Sequence, residues 1–240
     1  MVESVGLGAA VLVGAGTQRI TGLGFALVAS PFVVLLLGPF QGVLLVNACG
    51  AVTALFVLTQ VWRDVDVRRA GLLLGPALPA VLPGAWVARN LAAPVLALAV
   101  GGLVLSALAA VVASDKARLL RGSGGAVIAG LGSGFLNAAA GVGGPAIAVY
   151  AVSTGWPQRQ FAATAQLIFA VLSAASLAAK GGRPTLAVPG WLMVGAGLVI
   201  GVAVGDRLAD RVPAERARQA AVIVAMAGAA ITVGKGLIEL

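Results

Sequence analysis

A chain of 240 residues that is 60% hydrophobic and 10% charged, with a mean hydropathy of +1.05, lies far outside the range of soluble domains. Histidine is absent and Cys49 is the only cysteine, which excludes a disulfide framework, a Cys/His zinc site and any His-based triad or proton relay, so no cofactor or metal is expected. The net charge of +8 comes from 16 Lys and Arg scattered between apolar runs, which speaks for membrane topology and against a nucleic-acid partner.

In chain order, long apolar runs lie near residues 5–37, 42–62, 70–90, 94–113, 123–154, 158–179, 187–206 and 217–238. The fold class predicted is an all-α integral membrane protein whose partners include the lipid bilayer. Residues 1–17 are read as mature protein, because no basic residue precedes the first run and no cleavage site follows it. That first run exceeds thirty residues, ~45 Å as one helix against a ~30 Å hydrocarbon core. It is broken at TQRITGLG (17–24), where glycine admits non-helical backbone. In the third run, Pro76, Pro79 and Pro83 predict a bend or a hinge. The fifth run is again overlong and is broken at NAAAGVGG (137–144). Trp62, Trp156 and Trp191, near run ends, read as interface anchors, while Trp86 and Tyr150 lie deeper, in packing or along a cavity.

The pattern repeats. Pro39 returns as Pro157, Arg89 as Arg207 and Pro94 as Pro213, at offsets of 118, 118 and 119. Residues 1–121 and 122–240 therefore read as two homologous membrane repeats of about four apolar segments each. If each half crosses an even number of times, the halves are parallel and the basic residues divide nine against six. If each glycine break returns the chain to its starting side, the halves are inverted. Eleven basic residues then share one face, and only Arg89, Lys180, Arg183 and Lys235 share the other. The strong bias favours inverted repeats with both termini outside, and the eight-span parallel repeat is the alternative.

The breaks carry the candidate chemistry. GLGFALVASP (22–31) aligns with GVGGPAIAVY (141–150) at an offset of 119, pairing Gly22 with Gly141 and Gly24 with Gly143. A helix that starts inside the membrane presents unpaired N–H groups and the positive end of its dipole. Two such starts, after Gly24 and after Gly144, suit a buried anion. The structural alternative is close packing of helices through small residues. Gln18 and Asn137 precede the two breaks at the same offset, and Asn47 and Gln166 form a second matched pair, with Thr164 near the same level. Amides donate hydrogen bonds without adding charge, but an interhelical bond worth ~0.6–2 kcal/mol also accounts for them. Arg19 and Thr21 flank the first break. Arg19 is either a fixed positive charge or a residue of the basic surface. All eight carboxylates fall at termini, loops or span ends, so no intramembrane proton carrier stands out.

The two glycine-rich turns, their duplication, and Pro157 followed by FAATAQLIFAVLSAASLA (161–178) resemble the sulfite exporter TauE/SafE family of bacterial anion permeases, over nearly the whole chain. In the first copy Phe25 and Ala26 replace Gly144 and Pro145 of the second, so the two turns are not equivalent. The resemblance implies a multi-pass permease of the bacterial inner membrane that exports a small sulfur-containing anion such as sulfite, sulfoacetate or an organosulfonate, without enzymatic activity. A passive channel or a non-transporting subunit is the rival reading, and exposed small-residue faces would permit a homodimer. The substrate-binding residues expected are Gln18, Arg19, Thr21, Gly22, Gly24, Asn47, Asn137, Gly141, Gly143, Gly144, Pro145, Thr164 and Gln166.

Overall fold

The computed structural model describes residues 2–21, 25–114, 120–209, 211–212 and 214–240. They form α1 (Val2–Thr21), α2 (Phe25–Leu37), α3 (Pro39–Val61), a 3-10 turn (Trp62–Asp64), α4 (Val67–Asn90), α5 (Ala93–Ser114), α6 (Gly122–Ala140), α7 (Gly144–Thr154), α8 (Gln158–Lys180), α9 (Val188–Ala209) and α10 (Ala214–Ile238), with no strand among the described residues. Among the described residues, five helical segments are long and apolar enough to cross a bilayer: Pro39–Asp64, Val67–Asn90, Gln158–Lys180, Val188–Leu208 and Gln219–Ile238. The overlong first and fifth runs each become two helices. Of the second members, α2 has 13 residues and α7 has 11. At 1.5 Å per residue these reach ~20 Å and ~16 Å, short of a ~30 Å core.

Local chemistry sets the ends. Gly38 takes φ of 79° ahead of Pro39, which fits the first helical position, where its missing N–H costs nothing. The Asp66 carboxylate accepts from Arg69 N at 3.0 Å and starts α4. Gly141, with φ of 77°, closes α6 in the left-handed conformation that glycine adopts without strain. α4 stays one helix through its three prolines, and Pro76 is pressed against Gly130 of α6.

Close approaches through glycine give the helix directions. Along α1 and α9, Gly197 meets Gly8, Gly201 meets Leu12 and Gly205 meets Arg19, so these helices run parallel. α4 and α6 are likewise parallel, with Gly130 on Leu73, Gly134 on Ala77 and Gly84 on Ala138. α3 and α8 are antiparallel: Gln41 accepts from Thr185 N at one end, Gly50 faces Ser173, and Thr164 accepts from Asp66 N at the other. α5 and α10 are also antiparallel, Gly101 lying on Val233 and Gly236 on Pro94. Exchanging α1–α5 with α6–α10 turns α1·α9 into α6·α4 and leaves α3·α8 and α5·α10 unchanged. Successive helices alternate in direction, so α6 runs opposite to α1, as inverted halves require. The ends near Arg63, Arg69, Arg121, Arg159 and Arg207 share one face, called here the Arg-rich face, and Arg89, Lys180, Arg183 and Lys235 belong to the opposite one. Lys116 and Arg118 lie outside the described residues.

Without a hydrophobic drive between helices in lipid, association rests on such contacts. At Gly134 an added Cβ would lie 2.0 Å from the Ala77 carbonyl oxygen, and at Gly201 2.4 Å from that of Leu12. Only glycine lets the two backbones approach so closely.

Two aromatic expectations are corrected. Trp156 is no interface anchor: it is buried, edge-on to Tyr150 and Phe161, with the Arg69 guanidinium 4.7 Å from its ring centroid. Trp86, placed deeper by sequence position, is 63% exposed and faces the lipid, because it lies on the outer side of α4. Trp62 and Trp191 are exposed at helix ends, as anchors should be.

Candidate functional site

The four amides singled out by their spacing form two cross-half pairs. Gln18 Nε2 donates to Gln166 Oε1 at 2.9 Å. Asn137 Nδ2 donates to Asn47 Oδ1 at 3.3 Å and to Ser176 Oγ at 3.0 Å, and Asn47 Nδ2 donates to the Asn137 carbonyl at 3.4 Å. The offset of 119 carries 18 to 137 and 47 to 166, so each pair is the image of the other when the halves are exchanged. All four side chains are buried, which in lipid makes a partner for each polar group a requirement.

Between the two pairs lies a cavity of about 30 Å³, counted as space for the centres of water molecules. About 10–15 Å³ on that measure holds one water, so the volume suits two or three, and the site is contracted relative to an oxyanion. Gln18, Asn137, Gly50 and Ser173 line it, and so do Phe25, Ala26 and Leu27 at the start of α2 and Gly143 and Gly144 at the start of α7. Gly50 is the middle residue of α3 and Phe169, also on the wall, the middle residue of α8, so the cavity sits at half depth. The first turns of both short helices therefore open on one space. α7 has no side-chain cap, and Pro145, at its second position, contributes no N–H. The N–H groups of Gly144 and Ala146 remain to meet a ligand or water. Gly143 fits only because it has no side chain: a Cβ there would lie 2.9 Å from Ser133 O and Oγ.

The donors divide unevenly. A primary amide carries two N–H groups, and both of those on Asn137 are engaged. Gln18 uses one, leaving its second N–H and an unpartnered, buried Oε1. The buried Ser133 hydroxyl, one turn before Asn137, also has no partner.

Residues 7–232 match the family model described as Sulfite exporter TauE/SafE. The chain belongs to the TauE/SafE family. No curated protein matches it, and no solved structure does. Membership makes the molecule a multi-pass membrane protein of a transporter family, and it sets the remaining TauE/SafE candidates in context. Gln18, Asn137, Gly141, Gly143 and Gly144 line the cavity, with Asn47 and Gln166 one bond behind them. Gly22 and Gly24 lie outside the described residues, as does the side chain of Thr21 at the end of α1. Three further expected residues are also off the cavity wall. Arg19 is at the Arg-rich face, ion-paired with Asp206 and donating to Gln60 Oε1 at 3.0 Å. Thr164, two residues from Gln166, points to another side of α8, where it bonds Gln160 O at 2.7 Å and accepts from Asp66 N. Pro145 is buried within α7.

From the sequence, Ser30, Thr53, Thr59, Ser173 and Ser176 are hydroxyls that either line a path or bond their own helix backbone. Ser173 reaches the cavity wall and Ser176 bonds Asn137, while Gly50, also on the wall, carries no sequence signal. Ser173 follows Gln166 by seven residues, which returns to the same face of a helix. Thr53 and Thr59 bond Cys49 O and Phe56 O of their own helix, as hydroxyls in helices commonly do.

Proposed function

We propose that this TauE/SafE chain is a permease for a small sulfur-containing anion such as sulfite, sulfoacetate or an organosulfonate, held at the central cavity and exported by alternating access. The observation that carries the reading is the convergence of the α2 and α7 starts on one half-depth space flanked by Gln18 and Asn137. Helix starts supply positive potential and free N–H groups, and the neutral amides add donors without a buried permanent charge. Residues 1–121 and 122–240 act as the two repeats that rock about this point. Their cross-half bonds join the two repeats beside the cavity. The Arg-rich face is assigned to the cytoplasm of a bacterial inner membrane by the excess of basic residues there.

The test is flux of radiolabelled sulfite in vesicles containing only the purified protein. Gln18→Leu and Asn137→Leu are expected to lower flux at least tenfold while membrane insertion and elution as a monodisperse species persist. Wild-type flux in both variants would remove the cavity from the transport path. Sulfite flux that rises linearly with concentration, without counter-anion exchange, would favour a channel instead.

A further inference from the structure

We infer that Lys180 is a charged entry subsite for the anion, placed at the Arg-poor mouth of the path to the central cavity; this rests on the permease reading. Lys180 ends α8, where a lysine ordinarily snorkels to water. Instead it is 3% exposed, and its Nζ has no hydrogen-bond partner. Burying an ammonium without a counter-charge is costly, so a resident carboxylate is expected beside it. The sequences of α3, α4, α6 and α7, which pack against α8, contain none. The nearby 3-10 turn has Asp64, but at the opposite end of α8, where it pairs with Arg159 at 2.8 Å.

Gln166, Ser173, Ser176 and Lys180 fall within a sector of about 80° at 100° per residue, so they form one polar stripe along α8. Ser173 lines the cavity, Ser176 bonds Asn137, and Gln166 bonds Gln18. Lys180 stands ~6 Å beyond Ser176 along the axis, and side chains on a helix lean toward its N-terminus, here toward Ser176. The stripe thus leads from a buried, unpaired amine to the cavity wall. The missing counter-ion is a mobile one, a small oxyanion. At the offset of 119 the first half has Asn47, Ala54, Val57 and Val61, so its image of the stripe is apolar beyond Asn47 and the charged subsite exists at one mouth only.

The experiment measures sulfite flux against concentration in phosphatidylcholine vesicles for wild type, Lys180→Met and Lys180→Arg. Losing a charge-assisted hydrogen bond should raise the half-saturating sulfite concentration about ten- to hundredfold in Lys180→Met, with the maximal rate changing much less. Lys180→Arg should stay within about threefold of wild type. If Lys180→Met does not elute as a monodisperse species, Lys180→Gln, which keeps polarity and removes the charge, gives the same reading. Half-saturation unmoved in the neutral variant, or raised equally by Met and Arg, overturns the assignment and leaves the permease reading standing. Wild-type vesicles that carry no sulfite overturn the permease reading for this anion and the assignment with it.

Discussion

Gly50 offers a perturbation in which stability and transport should move in opposite directions. It is the middle residue of α3 and lies on the cavity wall. A Cβ added there would meet only Ser173 Oγ at 3.6 Å and Phe25 Cδ1 at 3.9 Å, both ordinary contacts. Gly50→Ala should therefore fold without strain and gain about 0.5–1 kcal/mol from the lower backbone entropy of its unfolded chain. The same methyl excludes water centres from within about 3.3 Å of itself. A space of 30 Å³ has an equivalent radius of about 1.9 Å, so most of it vanishes. Sulfite flux in vesicles should fall at least tenfold while the melting temperature in detergent holds or rises. Gly102→Ala is the control, since Gly102 is exposed on α5 with nothing within 4 Å of the new carbon. It should match Gly50→Ala in stability and wild type in flux. Undiminished flux in Gly50→Ala would refute the placement of the transport path through this cavity.

Gly134→Ala should act in the opposite sense, because its Cβ meets the Ala77 carbonyl oxygen at 2.0 Å and forces α4 from α6. A loss of about 1–3 kcal/mol is expected, read as a lower melting temperature in detergent. Arg19→Gln should change half-saturation for sulfite by less than about twofold in vesicle flux and stability by less than about 1 kcal/mol, since Arg19 answers Asp206 in a partly exposed pair away from the cavity. A tenfold rise in half-saturation would return Arg19 to the binding residues.

Much of the architecture was legible because duplication writes each constraint twice. The offset linking Gln18 to Asn137 and Asn47 to Gln166 singled out four amides, and the structure joins them in pairs that interchange with the halves. The breaks were visible as glycine and polar residues inside runs too long to span. What escaped was angular. Thr164 and Gln166 share a level on α8 but stand about 200° apart around it, so only Gln166 reaches Gln18. Arg19 follows Gln18 directly and diverges from it for the same reason. The partner of Arg19, Asp206, is 187 residues away, and nothing local announces it. Trp156 and Trp86 were misplaced because distance from a run's end does not report whether a helix face meets lipid or protein.

Both amide bonds join residues from different halves: Gln18 reaches Gln166, and Asn137 reaches Asn47. The first stretch alone holds no acceptor that Gln18 uses, and the second offers Asn137 only the Ser176 hydroxyl. Synthesised as separate polypeptides, the two would have to insert head-up and head-down and find each other in the bilayer before either could bury its amide safely. One continuous chain turns that search into a folding step, and the two halves need not match at every position: Lys180 of one stands where the other has Val61.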